Sequence, residues 1–110
     1  MGNTVELAPG RLWTVVDLET DSTEVYAGPA QLVGVHIHTG ISAQNCPIKD
    51  STSDAFQIPA SAATGEWYEA ANMRFTTNIT VDPDNSATGK ITVVYIPDHE
   101  GLVGSGAGLP

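Results

Sequence analysis

Apolar and polar residues alternate with a period of two along much of the chain, the spacing that places every second side chain on one face of a strand. Residues 74–81 show it best: Phe75, Thr77, Ile79 and Val81 alternate with Arg74, Thr76, Asn78 and Thr80. Residues 90–96 (Lys-Ile-Thr-Val-Val-Tyr-Ile) are rich in β-branched side chains and stop at Pro97. These two runs flank the turn-rich segment 82–89 and predict a hairpin. Residues 31–39 predict another strand, with Val33, Val35 and Ile37 on one face and Leu32, Gly34, His36 and His38 on the other. Shorter strands are predicted over 23–27, ended by Gly28-Pro29, and over 54–58, ended by Pro59. Residues 41–48 read as a strand in which Pro47 argues for a sheet edge or a bend. Residues 49–53 read as a turn, and 66–69 as a short aromatic extended segment. Residues 12–18 (Leu-Trp-Thr-Val-Val-Asp-Leu) follow the turn signal Ala8-Pro9-Gly10 and predict a strand or extended segment in an N-terminal arm.

Helix signals are scarce. The best is residues 60–64, which Gly65 would stop after about one turn. Strands spaced about ten residues apart and joined by turns predict an all-β chain, a small antiparallel β-sandwich or barrel. A parallel α/β fold is excluded because it needs crossover helices. The predicted organisation is an N-terminal arm (1–22), a β-sandwich domain (23–98) and a Gly-rich C-terminal tail (99–110) carrying Leu102, Val103 and Leu109.

Composition narrows the functional classes. A chain of 110 residues fits one domain with one modest core. Charged residues are 15%, below the usual share of about 25%. Thirteen acidic residues against four basic ones give a net charge of −9, which repels nucleic acid and anionic lipid. No partner of either kind is expected. Cys46 is the sole cysteine, so no internal disulfide is possible. The N-terminal residues lack the basic and apolar regions of a signal peptide, and no apolar run is long enough for a transmembrane helix. The sequon at Asn78 is therefore expected to be unused.

Candidate chemistry is thin. His36-x-His38 would put two imidazoles on one face of a strand, but a metal needs a third ligand, which His99 or a carboxylate would have to supply. Asp82-Pro83-Asp84-Asn85-Ser86 lacks the spacing, glycine and final glutamate of a calcium loop and reads as a turn. Cys46 precedes Pro47 in a β-prone run and reads as a buried or interface thiol. No nucleophile elbow, phosphate loop or zinc-protease pair is present. We expect no enzyme activity, no metal and no cofactor. The adjacent Trp67 and Tyr68 could stack on a sugar, and are equally typical of cores and interfaces.

Several runs together resemble a known group. They are Val25-Tyr26-Ala27-Gly28-Pro29-Ala30 with Leu32-Val33-Gly34-Val35, then Phe56-Gln57-Ile58-Pro59-Ala60-Ser61-Ala62, Met73-Arg74-Phe75-Thr76-Thr77-Asn78, Val81-Asp82-Pro83-Asp84 and Ala87-Thr88-Gly89-Lys90-Ile91-Thr92-Val93. This pattern, spanning residues 23–96, is similar to small β-sandwich proteins encoded among the structural genes of tailed phages, the capsid decoration or cement proteins. The resemblance implies a non-enzymatic virion protein, made in the host cytoplasm and bound to the capsid exterior, where it stabilises the shell. Its implied partners are the major capsid protein and further copies of itself, with a trimer at symmetry axes as one arrangement. Neck, tail or fibre proteins of a phage are a close variant, and a carbohydrate-binding β-sandwich module is the other reading. Under the decoration reading, Leu12 and Trp13 of the arm and Leu102, Val103 and Leu109 of the tail are the expected contacts. Burying apolar surface contributes about 25 cal/mol per Å². Ordering an arm costs about 1–2 kcal/mol per residue, so arms would bind only beside a preformed face.

Overall fold

The computed structural model describes residues 10–98. They form eight strands: β1 (Leu12–Asp17), β2 (Thr23–Tyr26), β3 (Ala30–Thr39), β4 (Cys46–Asp50), β5 (Ser53–Ile58), β6 (Trp67–Phe75), β7 (Ile79–Val81) and β8 (Lys90–Pro97). No helix occurs among the described residues. One sheet has the order β1-β8-β3-β6 and the other β2-β7-β4-β5, with every pair antiparallel. First pairs with last, second with seventh, third with sixth and fourth with fifth. This is a long hairpin wound into two sheets, the jelly-roll form of the β-sandwich.

The alternation seen in the sequence builds the core. Val16, Leu32, Val35, Ile37, Phe75, Ile91, Val93 and Tyr95 from the first sheet face Cys46, Ile48, Ile58, Ile79 and Val81 from the second. Tyr26 and Tyr95 meet across the sandwich with ring centroids 5.7 Å apart and planes tilted by 41°. No polar or charged side chain is buried among the described residues, so hydrophobic burial dominates the interior.

Several expectations are corrected. The expected hairpin between 74–81 and 90–96 does not form, because the alternating run 74–81 is two strands in different sheets. Phe75 ends β6, the chain crosses at residues 76–78, and β7 pairs with β2 and β4. Asp50 holds this corner. Its Oδ2 accepts the Thr76 amide (2.8 Å) and hydroxyl (3.1 Å), and its Oδ1 accepts the amides of Thr77 (2.9 Å) and Asn78 (3.4 Å). The corner amides therefore find a carboxylate where no neighbouring strand can serve them.

In β3 the register slips between Leu32 and Gly34 against both neighbours. Leu32 consequently joins Val35 and Ile37 in the core cluster, while Val33, expected beside them, stays outside that cluster. Such a bulge reverses the facing of everything before it. Pro47 lies in β4, an interior strand, so the edge expectation fails. Its carbonyl accepts the Asp82 amide (3.0 Å) just beyond the end of β7, so the missing donor falls where the ladder stops. The strand expected over 41–48 begins only at Cys46. Residues 60–64 form turns and not a helical turn, with Ser61 at φ 64° and Gly65 at φ 92°. Residues 12–17, assigned to an arm, are an integral strand paired with β8 over their whole length. The tail contacts Leu102, Val103 and Leu109, and His99, lie outside the described residues.

Candidate assembly surface

Strand β1 is an edge of the first sheet. Its Val16 is buried, so the intervening Trp13, Val15 and Asp17 point to the outer face. Trp13 is 68% exposed, Leu12 47% and Val15 43%; with Trp67 these are the only large apolar side chains exposed among the described residues. Trp13 and Leu12 were expected as contacts, and both stand open at this edge. Val15 was not singled out, because its facing depends on the β1–β8 register.

The apolar character continues inward. Trp13 lies opposite Val94 of β8, and Val94 opposite Gly34 of β3. The Trp67 indole from β6 covers Gly34 so closely that a Cβ there would stand 2.2 Å from Cζ2. Glycine at position 34 is thus what lets the indole lie against the sheet. The Trp67 ring N–H donates to Glu69 Oε1 at 3.0 Å. A band of Trp13, Val94 and Trp67 therefore crosses the outer face from one edge to the other.

Among the described residues the remaining candidates do not assemble into sites. His36 and His38 are exposed on β3, and His38 Nδ1 lies 3.0 Å from Thr39 Oγ1. No group of three His, Cys, Asp or Glu side chains that could hold a metal occurs among the described residues. Trp67 and Tyr68 point to opposite faces: the first is on the outer band, and the second packs against the core and donates its hydroxyl to Glu66 Oε1 at 2.6 Å. They cannot form one sugar platform. The Glu66 carboxyl is held below its usual range by that bond and by the Ala63 amide, and the Tyr68 hydroxyl is correspondingly pushed up.

Asp82 bonds Lys49 Nζ at 2.9 Å, and Asp84 accepts the Ala87 amide at 3.1 Å through its carbonyl, so the acidic segment is a tethered turn. Cys46 is fully buried. Burial foremost, then the charges of Asp84 and Asp82, pushes its thiol up to about 12, which keeps it protonated and inert. No cavity opens among the described residues. What the described residues present is an outer face and an edge.

Comparison with protein-family models, curated proteins and solved structures returns no match.

Proposed function

We propose that this protein is a virion structural protein that acts by binding, without catalysis, and decorates the exterior of a tailed-phage capsid to stabilise the shell. The observation that carries the reading is the exposed apolar edge of β1, with Leu12, Trp13 and Val15 set on an otherwise acidic chain of net charge −9. Contiguous exposed apolar side chains mark interaction surfaces, and acid elsewhere keeps the unpaired faces soluble. The jelly-roll winding serves capsid and lectin domains alike; the support from it is analogy of fold. The sugar-binding alternative loses its geometric support, because Trp67 and Tyr68 do not share a face.

Quantitative mass spectrometry of purified particles tests the proposal by counting this chain against the major capsid protein. A ratio near one, or a simple fraction set by the lattice, is the expected result. A handful of copies per particle would move the protein to the neck, tail or fibre. Absence from particles would overturn the virion role.

A further inference from the structure

We propose that the free edge of β1 pairs antiparallel with β1 of a second copy in a two-fold register centred on Thr14, extending the first sheet across both molecules. The inference rests on reading β1 as an assembly surface and names its occupant; it does not require a capsid.

Three of the four sheet edges carry features that discourage such pairing. Strand β2 has four residues and a register slip between Glu24 and Tyr26. Strand β5 opens with exposed Ser53 and Asp54 and stops at Pro59. Strand β6 is bent where Ala71 and Asn72 take φ of 53° and 59°, opposite the slip in β3. Charge, brevity, bulges and proline are the usual means of blunting an edge. Strand β1 has none of these between its ends: its six-residue register with β8 is unbroken, and its interior residues, Leu12 to Val16, are uncharged.

The hydrogen-bond phase of β1 restricts how it could be extended. The Leu18 amide donates to the Gly89 carbonyl at 2.9 Å, continuing the β1–β8 ladder by one residue. Alternate residues of an antiparallel strand bond to alternate sides, so the even-numbered residues face β8. Arg11, Trp13, Val15 and Asp17 turn their backbone groups to the open side. Antiparallel self-pairing must match these residues with one another. The register centred on Thr14 sets Trp13 against Val15 and Arg11 against Asp17, each twice by symmetry, with Leu12 against Val16 between them.

The side chains fit that register. Arg11 makes no ion pair or hydrogen bond among the described residues. Asp17 Oδ1 accepts the Glu19 amide at 3.0 Å, which leaves Oδ2 for a guanidinium. Trp13 beside Val15 is an aromatic and β-branched cross-strand pair, a stabilising kind. The run Arg-Leu-Trp-Thr-Val-Val-Asp is therefore self-complementary in charge and in apolarity. An edge paired with itself closes at two copies, so the trimer implied by the resemblance would need a different surface.

Sedimentation equilibrium of the full chain, with oxidation of cysteines introduced one at a time, tests the proposal. The expected result is a monomer–dimer equilibrium in which Arg11→Glu weakens dimerisation about tenfold and Arg11→Glu with Asp17→Arg restores it. Thr14→Cys should cross-link to itself, since directly opposed residues at a non-hydrogen-bonded position lie within disulfide reach. Trp13→Cys and Val15→Cys should not, and the inert Cys46 can stay in place. A monomer at all concentrations would overturn the pairing, and self-cross-linking through position 13 or 15 in preference to 14 would overturn the register. Circular dichroism of each variant separates loss of pairing from loss of fold. Particle counting is independent of these outcomes, so the dimer and the virion role can fail separately.

Discussion

Asp50 and Cys46 show how much of this fold rests on single side chains whose partners are far away in sequence. Asp50 was legible only as part of a turn, because the amides it serves lie 26 to 28 residues further on. Burial, the largest influence on its carboxyl, pushes upward, but the Thr76 and Thr77 amides, the Thr76 hydroxyl and the Asn78 amide together hold it below 3.8. Its contribution is therefore present above that value and is lost as pH falls through the lower folded one. Asp50→Asn should cost about 1 kcal/mol and flatten the acid limb of stability, as read from urea midpoints between pH 5 and about 2. Cys46 behaves oppositely. With the folded thiol raised from 9.0 to about 12, folded and unfolded chains both keep the proton below pH 9. Above it, only the unfolded chain releases the proton, so stability falls as pH rises. The difference in urea midpoint between wild type and Cys46→Ala should shrink from pH 9 to 11, and native protein at pH 8 should resist thiol reagents until unfolded.

Among the strands, composition and proline stops are legible locally, whereas boundaries and pairing depend on a partner. The β-branched run of β8 and the Pro59 stop of β5 are visible without the fold. The break between Phe75 and Ile79 is not, because Thr76, Thr77 and Asn78 keep the strand alternation and only Asp50 reveals the corner. Strand β3 hides its bulge for the same reason: Leu32, Val33 and Val35 are all apolar, so either phase satisfies the pattern. Gly34 sits at this irregularity, where a Cβ would meet Trp67 Cζ2 at 2.2 Å and the Tyr68 carbonyl oxygen at 2.8 Å. The backbone contact cannot be relieved by a rotamer change. Gly34→Ala should thus cost about 1–3 kcal/mol and shift the tryptophan fluorescence as the indole leaves the sheet; an unchanged melt and spectrum would contradict the packing described.

For the molecule as a whole, the all-β class and the sandwich were accessible from spacing, and the winding was not. Its pairs join residues 12–17 to 90–95, contacts that no local signal encodes. The candidate surface was half legible: Leu12 and Trp13 stood out as apolar, but their place on an edge strand required the ladder to β8. Because that ladder is complete by Pro97, deleting residues 99–110 should leave the thermal melt of the sandwich unchanged. If the tail contacts the shell, the same deletion should weaken binding to capsids in a co-sedimentation assay; unfolding of the truncated chain would contradict this division of labour. The adjacency of β1 and β8 also decides how the molecule bears mechanical load. Leu12 lies opposite Tyr95, so the start of β1 and the end of β8 lie side by side at one pole. Tension applied between them acts along the interstrand hydrogen bonds and opens the pair rung by rung, like a zipper. Opposed forces directed along β1 and β8 must instead shear many rungs at once. The first sheet thus resists sliding of β1 along β8 and yields early when these two strands are pulled apart at that pole.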